Sequence, residues 1–412
     1  MIFFKSTISG QITAPTSKSY FQRVVAISSL IKGKTTIVGL NDCEDCKTSL
    51  NLAKNLGSEI IYTSDTIIIY GKKNKPDDYL NCGESGLSMR MYLPIASTYD
   101  KCFTFDGKGS LLKRPLNDIP KVLRSSGIEI EEKHFLPINL CGGLKAGKYE
   151  IDGSKSSQFL TGMLIALSFL DGLSEIIVKD LNSKPYIDLT LEILKKFGIK
   201  IITNNYNYFK IFGNPCISDN IINIDGDWSS ASSLIVASSL AGDISIKGLR
   251  QNSFQADEAI LKILDLANVK YFFENELLHV KKATAISPFV FDATDCPDLF
   301  PVLSIFASQA NGTTKIKGVN RLKNKESDRG FVLVNELKKL GVNIKIEDDL
   351  MVIQKSKILG GVVNSYSDHR IAMTAAIAGL ISENGVEISD PNCVDKSYPN
   401  FYKDIFSLEH KY

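Results

Sequence analysis

The chain is short of several things on which a function could be built. It holds only four histidines in 412 residues, and no group of His, Cys and carboxylates has metal-ligand spacing, so no metal site is expected. Neither a Walker loop nor a GxGxxG strand–helix motif occurs, which leaves nucleotide use without a sign and the chain with no expected cofactor. Lys and Arg number 48 against 46 Asp and Glu, a formal net charge of +2. That balance gives no reason to expect nucleic acid as a partner; anion chemistry has to come from locally placed charges. Apolar runs such as QFLTGMLIALSFL (158–170) stop short of a membrane span, and MIFFKSTISG is too brief for the apolar core of a signal peptide. The eight cysteines are scattered in a chain long enough not to need cross-links, so a reducing cytoplasm is the expected location. Cys43 and Cys46 form a lone CxxC with no second pair, and they read as ordinary buried thiols.

What is present begins with size. At 44% hydrophobic and 23% charged, the composition is that of a soluble globular protein, and the length calls for two or more domains. A long internal period then sets the architecture. Five segments share an amphipathic helix, a pivot residue and two alternating strands, as in EILKKFGIKIITNNYNYFKIFG and ELKKLGVNIKIEDDLMVIQ. The pivots are Gly57, Gly127, Gly198, Asn268 and Gly341, at intervals of 70, 71, 70 and 73 residues. Glycine suits a left-handed helix end because it lacks a Cβ, and asparagine is its usual substitute.

A second series of helices runs in step with the first: RVVAISSL, MRMYLPIAS, QFLTGMLIALSFL, SASSLIVASSLAG, LFPVLSIFASQANG and HRIAMTAAIAGLIS. Rich in small and apolar residues with few charges, these should be buried. There are six of them against five complete copies of the first series. FYKDIFSLEH supplies a sixth amphipathic helix, and its strands would have to come from residues 1–15. The expected fold is therefore α/β, six units in two domains of three: residues 16–225, and residues 1–15 with 226–412.

Helix N-termini carry unpaired N–H groups and partial positive charge, and so favour anions. At the starts of the buried helices stand Ser17-Lys18-Ser19 with Arg23, Glu84-Ser85-Gly86 with Arg90, Ser156-Ser157-Gln158, Asp227 with Ser229 and Ser230, Asp298, and Asp368-His369-Arg370. Loops add Arg114, Ser183-Lys184-Pro185-Tyr186, Lys325-Glu326-Ser327-Asp328-Arg329 and Lys396. Singly, most read as helix caps or solvated charges. Asp227 with its serines reads as a cap at a domain crossing, and His369 as a residue that orients a neighbour. If the helix starts face a shared cleft, it would take compact, multiply anionic molecules, since guanidinium groups match phosphate and carboxylate oxygens while Ser and Gln suit phosphate and polyol hydroxyls.

The strings SKSYFQR (17–23), GESGLSMR (83–90), KRP (113–115), DGSKSSQF (152–159), SKPYID (183–188), DGDWSSA (225–231), PD (297–298), KESDR (325–329), SDHR (367–370) and CVDKSYP (393–399) together resemble the shikimate-pathway enolpyruvyl transferases, in the same order and across nearly the whole chain. The resemblance implies an inside-out α/β barrel fold of six repeats in two domains. It also implies transfer of the enolpyruvyl group of phosphoenolpyruvate to the 5-hydroxyl of shikimate 3-phosphate, without a cofactor, by a cytoplasmic monomer that meets neither nucleic acid nor membrane. Carried over by residue, Lys18, Ser19, Arg23, Ser156, Ser157, Gln158, Ser183, Tyr186, Asp298 and Lys325 would hold shikimate 3-phosphate. Lys18, Gly86, Arg114, Gln158, Arg329, Arg370 and Lys396 would hold phosphoenolpyruvate. Asp298 would be the base on the 5-hydroxyl, Glu326 the acid–base group at the methylene carbon, and Lys18 the proton donor to the departing oxygen.

The chain departs from the family pattern at Glu84 and Leu87, where Asn and Thr are usual, and at Gln22 and Arg321, where Asn is frequent. Glu84 sets an extra negative charge near the expected phosphoenolpyruvate pocket. Two rival readings have to be met. The sister enzyme acting on UDP-N-acetylglucosamine commonly uses a loop cysteine, which GKGSLLKRP (107–115) lacks, although Cys102 lies upstream. A non-catalytic anion-binding scaffold would be expected to have lost charged residues that are all present here.

Overall fold

All five pivots lie where a helix gives way to a strand, and all five take positive φ: 95° at Gly57, 87° at Gly127, 76° at Gly198, 59° at Asn268 and 93° at Gly341. A helix precedes each, as Lys184–Lys196 precedes Gly198, and an antiparallel strand pair follows, there Ile201–Asn204 with Tyr208–Phe212. The computed structural model describes residues 1–131, 133–154, 156–217 and 219–410.

Among the described residues the strands form six open sheets of three to five strands, and none closes into a β-barrel. One pattern recurs. Around the buried helices Gly86–Ala96, Ser157–Ser168 and Phe300–Ala307, the strand entering the helix pairs in parallel with the strand leaving it, and the leaving strand pairs antiparallel with the hairpin after the pivot. Thus Lys148–Asp152 lies parallel to Leu173–Lys179, which lies antiparallel to Tyr208–Phe212. A parallel pair needs a crossover, and the buried helix Ser157–Ser168 supplies it.

The chain divides into two compact units, Lys18–Ile224 and Met1–Ser17 with Asp225–Tyr412. In the first, the helices Lys18–Leu30, Gly86–Ala96 and Ser157–Ser168 are almost wholly buried, with sheets outside them. Gly162 shows why small residues fill these helices: a Cβ there would lie 2.5 Å from the carbonyl oxygen of Met91. In the second unit the buried helices are Trp228–Ala241, Phe300–Ala307 and His369–Ile381. Its N-terminal segment is built in: Ile2–Phe3 pairs antiparallel with Val386–Ser389, and Thr7–Thr13 lies between Gly242–Lys247 and Glu409–His410.

One expectation is corrected. Cys102 and Cys141 form a disulfide. The antiparallel register that sets Phe103 opposite Leu140 brings the next pair, Cys102 and Cys141, face to face. Cys43 and Cys46 are buried free thiols, and burial pushes the Cys46 thiol well above its ordinary range.

Candidate active site

In the unit that contains both termini, short turns and helix starts bring six of the singled-out side chains into one charged cluster. Asp298 sits in the turn Pro297–Leu299, just before the buried helix Phe300–Ala307. Lys325 and Glu326 lead into the helix Arg329–Lys339, whose start Asp328 caps by accepting from the Phe331 N–H. Arg370 stands in the first turn of His369–Ile381, and Lys396 closes the turn Pro391–Lys396.

Arg329 is the centre of the cluster and is only 1% exposed. Its Nη1 donates to Asp298 Oδ1 at 2.7 Å, Nη2 to Glu326 Oε2 at 2.6 Å, and Nε to Asp368 Oδ2 at 2.8 Å. Lys325 Nζ reaches Asp298 Oδ1 at 3.1 Å, and Arg370 Nη2 lies 3.7 Å from Asp298 Oδ2. Lys396 Nζ lies 3.9 Å from Glu326 Oε1. The two carboxylates expected from the resemblance to move protons thus share one buried guanidinium, with three further cations beside them.

The electrostatics follow from that packing. Burial opposes ionisation of Asp298, but Lys325, Arg370 and Arg329 outweigh it and hold the carboxyl well below the usual carboxylate range. Burial lowers Lys325, with Asp298 opposing. Arg329 and Arg370 are both raised, because neighbouring carboxylates overcome the cost of burial.

In the other unit, Lys18 begins a buried helix and its Nζ binds Asp45 Oδ2 at 2.9 Å. Gln22 joins this helix to the next helix start, donating to the Asp45 carbonyl at 3.2 Å and to the Ser85 and Ser88 hydroxyls at 3.0 Å. Arg23 is buried and donates inward: to the Ser19 carbonyl at 2.8 Å, the Tyr186 carbonyl at 3.3 Å and Thr190 Oγ1 at 2.9 Å. Burial lowers it to about 10. In this structure it braces Ser19 and Tyr186 from behind. Ser183 holds a left-handed conformation, φ 60°, at the start of the helix Lys184–Lys196.

Arg90 gathers the remaining segments. It donates to Gly86 O and Gln158 Oε1 through Nη1 at 3.3 and 3.2 Å, and to Pro115 O through Nη2 at 2.8 Å. Gly86 itself lies under Arg114: a Cβ there would come 2.8 Å from the Arg114 Cζ. Ser156 caps its helix through the Gln158 N–H at 3.2 Å, and Ser157 opens the helix. A small open hollow adjoins Ser156, lined also by Arg90, Asn117, Asp118, Asp152 and Phe159. Lys155, within DGSKSSQF, lies outside the described residues.

Other expectations resolve locally. Glu84 turns toward the loop after Asp106, where its Oε2 accepts from Ser110 Oγ at 3.3 Å. His369 is buried with Nδ1 3.9 Å from Asp368 Oδ1. Asp227 caps its helix, accepting from the Ser230 N–H at 2.6 Å. Cys102 is tied up in its disulfide and offers no loop thiol. Sequence reading missed Asp45, which looks like an ordinary acid in a first helical turn, and the parts that Ser229 and Asp257 play beside Arg370. No described helix is long and apolar enough to cross a membrane.

Residues 4–405 match the family model for EPSP synthase (3-phosphoshikimate 1-carboxyvinyltransferase). A 3-phosphoshikimate 1-carboxyvinyltransferase from Clostridium novyi (strain NT) is 37% identical over 97% of this chain and 95% of its own length. One from Clostridium botulinum (strain Alaska E43 / Type E3) is 36% identical over 98% and 96%. Among solved structures, EPSP synthase from Acinetobacter baumannii superposes with a TM-score of 0.84 at 26% identity, covering 99% of this chain and 97% of that one. With near-complete coverage in sequence and in fold, this chain belongs to the EPSP synthase family.

Proposed function

We propose that the chain transfers the enolpyruvyl group of phosphoenolpyruvate to the 5-hydroxyl of shikimate 3-phosphate, releasing phosphate, as a step of aromatic amino acid biosynthesis. The observation that carries this reading is the pair Asp298 and Glu326, bound to opposite nitrogens of the buried Arg329 with Lys325, Arg370 and Lys396 beside them. Addition–elimination needs one group to take a proton from oxygen, another to deliver one to carbon, and fixed cations for the anions carried throughout.

Asp298 takes the 5-hydroxyl proton as the oxygen attacks C2 of phosphoenolpyruvate, and Glu326 delivers a proton to C3. The resulting ketal collapses with loss of phosphate as a proton returns from C3 to Glu326, and Lys18 protonates the departing oxygen. Arg329, Arg370 and Lys396, with Lys18, Gly86, Arg114 and Gln158, hold phosphoenolpyruvate. Lys325 and Asp298, with Lys18, Ser19, Arg23, Ser156, Ser157, Gln158, Ser183 and Tyr186, hold shikimate 3-phosphate. Arg23 acts from behind, bracing the carbonyls of Ser19 and Tyr186 and the Thr190 hydroxyl.

A strongly lowered Asp298 is a weak base. Substrate anions resolve this by drawing Lys325, Arg329 and Arg370 onto themselves, which releases Asp298 to a higher pKa at the moment it is needed. The test is phosphate release from phosphoenolpyruvate with shikimate 3-phosphate and no added metal. Release with UDP-N-acetylglucosamine instead, or with neither acceptor, would overturn the reading. A cytoplasmic monomer is part of the same proposal, tested by fractionation and gel filtration; recovery outside the cytoplasm would agree with the Cys102–Cys141 disulfide instead.

A further inference from the structure

Arg370 owes its position to groups that the chemistry above does not use. Its Nη2 donates to Ser229 Oγ, and its Nη1 donates to the Ser229 carbonyl at 3.3 Å. A hydroxyl that accepts from a guanidinium keeps its own proton to give, and Asp257 is the carboxylate that Ser229 faces. A chain of polar contacts therefore runs from Asp298 through Arg370 and Ser229 to Asp257, with a carboxylate at each end.

Asp257 lies in the short turn Ala256–Ala259 and is 3% exposed. Its Oδ1 is buried and has no hydrogen-bond donor among the described residues. Burying a carboxyl with half its acceptor capacity unmet is costly, and an amide or apolar side chain would pack there at less cost. What an acid adds at this point is charge directed at Arg370.

Resting on the functional reading above, we infer that Asp257 is a positioning residue for the transfer: through Ser229 it anchors the Arg370 guanidinium, so that the grip of Arg370 on phosphoenolpyruvate depends on the Asp257 charge. The groups facing Asp257 are Asp298, Arg370, Ser229, Asp227 and the Cys296 thiol, and Arg370 also faces Arg329. Burial, joined by the charge of Asp298, raises Asp257 to about 6, against Arg370 and Ser229, which hold it down. Above that pH the carboxylate is ionised and Arg370 is anchored. Below it the carboxyl takes a proton and comes to resemble an asparagine.

The experiment compares the parent with Asp257→Asn at pH 7.5 and pH 5.5, reading KM for each substrate by phosphate release. At the higher pH the variant raises KM for phosphoenolpyruvate about tenfold and KM for shikimate 3-phosphate by less than about twofold. At the lower pH the variant-to-parent ratio falls toward one, because the parent has lost the same charge; the substrates' own titration cancels in that ratio. Ser229→Ala cuts the bridge, shows the same pH-dependent ratio, and combined with Asp257→Asn is no worse than either alone. Should Asp257→Asn fail to fold, Ser229→Ala carries the test. A ratio equal at the two pH values, an equal rise for both substrates, or no rise at all overturns the inference while the parent's turnover stands. A parent that releases no phosphate overturns the functional reading, and this inference with it.

Discussion

Arg329 and Asp368 are joined by two hydrogen bonds, Nε to Oδ2 at 2.8 Å and Nη2 to Oδ1 at 3.1 Å, with both side chains out of reach of water. Asp368 also accepts from the Arg370 N–H at 3.0 Å and from Ser327 Oγ at 3.0 Å, so one carboxylate orders a helix start, a loop and the central guanidinium. Removing it leaves Arg329 buried beside the other cations of the cluster. Asp368→Ala should lower stability by about 3–5 kcal/mol, read by urea denaturation, because a buried charge loses its partner. A loss under about 1 kcal/mol would mean that Asp298 and Glu326 suffice to hold Arg329.

Asp298 makes a prediction in pH. Its folded pKa lies below the unfolded value near 3.9, so its contribution to stability is complete above about pH 4 and is lost as pH falls through the folded value. Asp298→Asn should therefore cost about 2 kcal/mol at pH 7, leaving three cations with less to face, and the difference from the parent should shrink below pH 4. Activity should fall by about a hundredfold or more at every pH, since the proposed base is gone. Denaturation at pH 7 and pH 3.5, with steady-state rates, checks both parts.

The fold was legible where backbone geometry dictates residue type. A left-handed helix end restricts its residue to Gly or Asn, which is why the five pivots could be read, and every one has positive φ. The charged cluster was legible because Lys325, Glu326 and Arg329 lie in one short string beside Asp298 and Arg370 in the family pattern. Which side chain meets which was not. Asp45, the partner of Lys18, comes from a helix 27 residues along the chain, where an acid in the first turn is explained by the helix dipole alone. The Cys102–Cys141 disulfide depends on strand register across 39 residues, to which spacing gives no clue. Asp257 was hidden for a related reason: one acid in a polar stretch says nothing about the serine that will meet it.

Gly86 tests how tightly Arg114 is placed. A Cβ at position 86 would come 2.8 Å from Cζ and Nη1 of Arg114 and must push the guanidinium aside. The obstacle is the end of a flexible side chain, so Gly86→Ala should change stability by less than about 1 kcal/mol. Since Arg114 is assigned to phosphoenolpyruvate, KM for that substrate should rise about tenfold, with KM for shikimate 3-phosphate little changed. Steady-state kinetics at fixed pH separates the two, and equal KM values for the variant and the parent would remove Arg114 from the phosphoenolpyruvate set.

Gln255 holds the chain where it leaves one unit for the other. Its Oε1 accepts from Ser17 Oγ at 3.0 Å and from the Trp228 N–H at 3.1 Å, while its Nε2 donates to the Gly226 carbonyl at 2.7 Å. One buried amide thus serves both crossings, next to Lys18 on one strand of chain and Asp227 on the other. Gln255→Ala would take one partner from a hydroxyl, an N–H and a carbonyl, and a leucine of similar bulk would take it from the same three groups. Both variants should lose about 2–4 kcal/mol by urea denaturation, where a loss of packing alone would spare the leucine. Gln255→Glu separates acceptance from donation, because it keeps the oxygen that Ser17 and Trp228 use and surrenders only the bond to Gly226. It should recover about half of the loss at a pH where the introduced acid is protonated, and less where it is ionised, since a buried charge is costly.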